Sequence, residues 1–198
     1  MTTLNIHKFN LDNLKIGHRI GIIGQAFSGK TTIVNSILKK FKDTDAVVSY
    51  FNEENLDDLN ALLETIASHI KLKLTPKPNI LVFENIGWFS KKLLENSAFR
   101  KLFQSVKQFN IMMILTDQCS FEYQMRINLD YICLTKNCNV CVSRKQLYEQ
   151  YEGMAPTLEI FNILLDNSTQ DYSCLVVQNN TLCYKMENLF WYKPTLNE

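Results

Sequence analysis

Eight consecutive residues constrain this chain more than any others: Gly24-Gln25-Ala26-Phe27-Ser28-Gly29-Lys30-Thr31. They complete the pattern G-x-x-x-x-G-K-[ST]. The apolar run Arg19–Ile23 leads into the loop, and a helical pattern over 31–41 leads out of it, with Ile33, Val34, Ile37, Leu38 and Phe41 on one side. Strand, glycine loop and helix in that order are the context the pattern requires. Gly24 and Gly29 are expected to free the backbone, so that successive N–H groups of the loop turn toward one anion. The start of the helix adds partial positive charge at the same point. Lys30 is then placed to reach the β- and γ-phosphates of a nucleotide, and the Thr31 hydroxyl, with Thr32 beside it, to face a magnesium ion. ATP and Mg2+ are the expected ligands.

A loop of this kind needs a parallel sheet behind it, and the rest of the chain supplies the parts. Strand patterns at 46–51, 80–83, 111–115 and 131–134 alternate with helical patterns at 56–70, 91–109, 143–151 and 157–166. Thr75-Pro76-Lys77-Pro78 is a stop between two of them. A closing hairpin is expected from 172–177 and 182–186, turned at Asn179-Asn180, and it should extend one edge of the sheet. The fold class is therefore α/β, a P-loop NTPase fold with a mainly parallel sheet flanked by helices. At 198 residues the expectation is one domain spanning 1–198.

Composition narrows the partners. A net charge of +1 argues against bulk electrostatic binding of nucleic acid but leaves room for a local basic patch or a pore lined by several copies. No apolar run approaches the roughly 18 residues of a membrane span, and no apolar leader opens the chain, so a soluble intracellular protein is expected. Its six cysteines (Cys119, Cys133, Cys138, Cys141, Cys174 and Cys183) are then read as reduced. Cys138-x-x-Cys141 looks like half a zinc site, but a second pair or supporting histidine is missing, and the group reads as small buried hydrophobes.

The run Ile80-Leu81-Val82-Phe83-Glu84-Asn85 is a buried strand ending in an acid. Glu84 is the expected magnesium-side carboxylate. Asn85 stands where many ATPases carry the acid that orients the attacking water; its amide accepts a hydrogen bond from water but takes no proton. Asp117 or Glu53 are alternative carboxylates. The next strand ends in Thr116-Asp117-Gln118, and in ATPases that insert this strand between the loop strand and the acidic strand, Gln118 becomes the sensor of the γ-phosphate.

Taken in order, these elements resemble the genome-packaging ATPases of large nucleocytoplasmic DNA viruses, the poxvirus-type branch of the FtsK–HerA superfamily. The resemblance runs from about residue 16 to 195. It rests on the loop, Gln118, the Met125-Arg126-Ile127-Asn128-Leu129-Asp130 element, the stretch from Gln146 to Pro156 and the late Phe190-Trp191-Tyr192-Lys193. It implies an ATP-hydrolysing DNA translocase that packages viral double-stranded DNA. The implied assembly is a homo-oligomeric ring, pentamer or hexamer, working with capsid or portal proteins in the host cytoplasm or viral factory, or on the virion. Lys30, Thr31, Glu84 and Gln118 carry over. Arg126 is the first choice for a cation reaching a neighbour's γ-phosphate, then Lys107 and Arg100. The sequence departs from the family at Val106-Lys107-Gln108, where Gly-Arg-His is frequent, and at Asn85. Trp88-Phe89-Ser90-Lys91-Lys92 mixes aromatic and basic residues as a DNA-facing loop does.

Two other functions share the loop. A small nucleotide or nucleoside kinase would need an arginine-rich lid, whereas Arg19, Arg100, Arg126 and Arg144 are scattered. A nucleotide-binding scaffold with weakened hydrolysis is favoured by Asn85 and Lys107.

Overall fold

The computed structural model describes residues 6–72, 76–136, 143–151, 154–179 and 186–195. Five strands form the parallel centre: β2 (Arg19–Ile23), β3 (Val47–Phe51), β4 (Asn79–Phe83), β5 (Ile111–Asp117) and β6 (Tyr131–Leu134). Two antiparallel strands follow, β7 (Cys174–Gln178) and β8 (Leu189–Tyr192), and the short N-terminal β1 (His7–Lys8) runs parallel to β8. The sheet order is β1-β8-β7-β6-β2-β5-β4-β3.

Continuous apolar strands are what a sheet covered on both faces demands. In β4, Ile80 and Val82 join one buried cluster and Leu81 and Phe83 the other. On the first face lies α1 (Lys30–Lys40), through Ile33, Val34 and Ile37, beside the N-terminal Phe9 and Leu14. The second face is covered by α2 (Asp58–Lys71), α3 (Ser90–Glu95), α4 (Ser97–Gln104), α5 (Tyr123–Arg126), α6 (Arg144–Gln150) and α7 (Leu158–Ser168). Parallel strands joined through helices bring every connection after β2, β4, β5 and β6 to one end of the sheet, and the candidate site lies there.

The structure departs from the sequence reading in four places. The helix expected over 91–109 is two helices. Asn96 adopts an extended backbone and its side chain accepts a hydrogen bond from the Phe99 N–H, capping α4 and ending α3. The strand expected over 172–177 begins at Cys174, because Asp171 and Tyr172 lie in left-handed conformation with φ of 49° and 63°. Opposite β7 the described strand is Leu189–Tyr192; Met186–Asn188 is a 3-10 turn, and most of the expected 182–186 arm lies outside the described residues, as do Asn180, Cys138, Cys141 and Cys183. The hairpin extends the sheet, but β1 forms the rim beyond it, a strand too short to leave a periodic signal.

Candidate functional site

Gly24 leaves β2 stitched to both neighbouring strands. Its N–H donates to the Asp117 carbonyl at the end of β5 (3.1 Å), while the Thr135 N–H, just past β6, donates to the Ile23 carbonyl (2.8 Å). The Thr135 hydroxyl lies 2.6 Å from the Ser28 hydroxyl and also donates to the Ile23 carbonyl. A Cβ on residue 24 would stand 1.6 Å from that hydroxyl, so only glycine fits. Space, not backbone angle, is thus what Gly24 supplies. The left-handed residues of the loop are Gly29, with φ of 93°, and, unexpectedly, Phe27, with φ of 61° and a side chain 99% exposed. Sequence reasoning missed Thr135; a threonine closing an apolar strand beside the loop is the signal that could have found it.

Lys30 opens α1 and reaches back over the loop, its ammonium donating to the Gly24 (2.6 Å) and Gln25 (2.8 Å) carbonyls. Partial burial pushes its pKa below the ordinary lysine value, opposed by the negative field of Asp117 and then Cys119. Asp117 is buried, and burial raises its pKa against the N–H groups of Cys119 and Gln118, which donate to its carboxylate, and the charge of Lys30. One residue therefore anchors the loop through its carbonyl and orients the Gln118 backbone through its side chain.

Ala26, Phe27, Gly29, Lys30, Thr31 and Thr32 form one wall of a hollow of about 420 Å³, closed by Asn85, Gln118 and Tyr172. The residues predicted after β2, β4 and β5 thus meet in one place. Gln25 and Ser28 line a second hollow alongside, and Gly24 is buried behind the loop. Glu84 is not on the wall of the first hollow. It is half-buried where β4 ends, its N–H donating to the Phe51 carbonyl (3.3 Å), and Asn85 takes the exposed position. Asn85 has φ of 52°, which asparagine tolerates and glutamate resists, and its N–H donates to the Thr116 hydroxyl (3.0 Å). That conformation is a physical reason for an amide here. Among the described residues no three His, Cys, Asp or Glu cluster to hold a metal by themselves. A loop threonine hydroxyl is one of the ligands by which P-loop enzymes hold magnesium beside the substrate phosphates, and Thr31 lines the hollow.

No family model matches the chain. An uncharacterised protein of Invertebrate iridescent virus 3 is 22% identical over 205 residues, covering 89% of this chain and 76% of that protein. One of Acanthamoeba polyphaga mimivirus is 24% identical over 217 residues, covering 94% and 76%. Among solved structures, the genome packaging NTPase of Sulfolobus turreted icosahedral virus 2, in complex with ATP-gammaS, superposes with a TM-score of 0.60 at 13% identity. The match covers 92% of this chain and 100% of that one. The fold is that of a P-loop NTPase. EssC of Geobacillus thermodenitrificans, in its ATPases 2 and 3, matches with a TM-score of 0.59 at 12% identity, over 92% of this chain and 40% of that one. The resemblance read from the sequence holds at the level of fold, and β5 does insert between the loop strand and the acidic strand.

The other predicted residues lie apart. Arg126, in α5, is half-buried with its guanidinium over the rings of Tyr123 (5.6 Å) and Tyr151 (5.8 Å), and the Asn179 side chain donates to its carbonyl (2.7 Å). It does not line the hollow of its own chain. Asp130 accepts from the Arg19 backbone and side chain and serves the sheet. Lys107 contacts Gly17, before β2, at the far end of the strands from the loop. Trp88 and Phe89 divide: Trp88 is 83% exposed and Phe89 is core, with Lys91 and Lys92 exposed beside them. Cys133 and Cys174 are buried free thiols and Cys119 is half-buried. No helix among the described residues is long and apolar enough to cross a membrane.

Proposed function

We propose that this chain is the ATPase subunit of an oligomeric motor that hydrolyses ATP with magnesium to drive viral double-stranded DNA into a capsid. The observation that carries the reading is the meeting of Lys30, Thr31 and Gln118 in one hollow, which requires β5 between β2 and β4. Loop N–H groups and Lys30 bind and neutralise the β- and γ-phosphates, and the Thr31 hydroxyl would hold magnesium; Glu84, the second expected ligand, stands off the wall of the hollow. The metal, when bound, supplies positive charge against the phosphoryl oxygens. Gln118 and Asn85 present amides that orient water at the γ-phosphate but do not remove its proton. Phosphoryl transfer depends mostly on position and charge, so the remaining demand is a cation, which Arg126 brings from a neighbouring subunit. Trp88, on the turn directly after Asn85, and Lys91 and Lys92 beside it couple the site to the DNA strand they contact. Capsid or portal proteins are the remaining partners.

The second reading, a nucleotide-binding scaffold with weakened hydrolysis, is favoured by one observation: among the described residues no carboxylate lines the hollow. Phosphate release by the purified chain, measured with and without duplex DNA, separates the two. DNA-stimulated release is expected. ATP binding with no release under any assembly condition would instead establish the scaffold.

A further inference from the structure

β2 has a different neighbour on each side, and the two sides offer different chemistry. On the β5 side stand Gln118 and Asn85, the amides assigned above to the terminal phosphate. On the β6 side a second hollow of about 750 Å³ adjoins the loop, walled by Lys136 after β6 and by residues of α6, α7 and the turn after α7. Tyr172 lines both hollows. Its Cβ and Cδ1 lie 3.1 Å from where a Cβ on Gly29 would stand, so the ring packs against the helix end of the phosphate loop.

Nothing in the core explains that ring. Tyr172 is half exposed, belongs to neither buried cluster, and follows Asp171 in a second consecutive left-handed conformation, an outlier for a bulky side chain. The Ser173 N–H donates to the Gln170 carbonyl across the turn (2.9 Å), and on its outer side Lys193 pairs with the Asp171 carboxylate (3.2 Å). Beneath it, Arg144 and Asp166 form a two-bond ion pair (2.9 and 2.5 Å) that gives the second hollow a polar wall.

We propose that the second hollow takes the nucleoside end of the bound nucleotide and that Tyr172 stacks on its base. The proposal rests on the phosphate-loop reading and deepens it. A nucleoside triphosphate is an elongated ligand. With its terminal phosphate at Gln118 and its chain along the loop, its sugar and base emerge on the β6 side, under an aromatic face. Stacking is available to every base because each has a π-face, so the site discriminates nucleotides from inorganic phosphates more than one base from another.

Titration of the whole chain with ATP and with inorganic tripolyphosphate, each with magnesium, tests this. Tyr172→Ala is expected to weaken ATP binding about tenfold, in line with the loss of one stacking contact, and to weaken tripolyphosphate binding severalfold less. Tyr172→Phe is expected to behave as wild type, and Tyr172→Trp to show added fluorescence quenched by ATP but not by tripolyphosphate. Tyr172→Ala weakening both ligands equally, or neither, overturns the proposal while the phosphate loop stands. Wild-type protein that binds neither ligand removes the loop reading as well.

Discussion

The loop after β2 and the loop after β4 leave the same end of one sheet, yet they are built to different standards. The first is braced from both sides: Gly24 is bonded to the end of β5, Thr135 is bonded to Ile23 and Ser28, and no side chain larger than hydrogen fits at position 24. The second keeps its acid, Glu84, off the wall of the hollow and presents Asn85 in a left-handed turn supported by one bond to Thr116. The difference teaches that the loop after β2 is fully braced within one chain, whereas the loop after β4 brings no carboxylate of the described residues to the hollow; on the proposed function, the group that completes hydrolysis then comes from a neighbour. Under the proposed function, that division lets a lone subunit hold nucleotide without hydrolysing it.

The largest expected effect lies with the group supplied from outside. Arg126→Ala should lower DNA-stimulated turnover of the assembled protein roughly 10³-fold, the low end of the range for a cation acting on a neighbour's γ-phosphate, while ATP affinity of the isolated chain stays within twofold. An equal loss of affinity in the isolated chain would make Arg126 only a clamp between Tyr123 and Tyr151.

A smaller gain should come from the loop after β4 itself. Asn85→Asp keeps a residue that tolerates the left-handed backbone and adds a proton acceptor, and is expected to raise turnover about tenfold, below the usual ceiling for a placed general base. Asn85→Glu should gain less, since glutamate resists that conformation. Stopped-flow phosphate release compares the two; a larger gain for the glutamate would show that the backbone is not the constraint.

The smallest effect tests the brace of the first loop. Thr135→Val keeps the shape but strands the buried Ser28 hydroxyl, and should destabilise the chain by about 1–3 kcal/mol in denaturant titration. Unchanged stability would mean that Ser28 finds another partner and that the brace is dispensable.

The sequence carried the loop and the strand–helix alternation, because glycine spacing and apolar runs are local signals; the placing of Gln118 beside Lys30 came from the likeness to ATPases that insert this strand next to the loop strand. What it hid depended on non-local packing. Thr135 matters through a hydroxyl more than a hundred residues away from Ser28, β1 is two residues long, and the break at Asn96 shows only as a cap inside an otherwise helical pattern. Glu84 looked like a wall residue because it ends an apolar strand, but it is half-buried off the wall, and Asn85, in a left-handed turn, takes the exposed position.

Calorimetric titration of the purified chain with magnesium ATP, wild type beside Lys30→Ala, addresses the phosphate grip most directly. One nucleotide per chain, with affinity reduced at least a hundredfold when the ammonium is removed, is the expected result, by analogy with the roughly 10²–10³ lost with one preorganised donor to an anion. Equal binding by both proteins, or by neither, would contradict it.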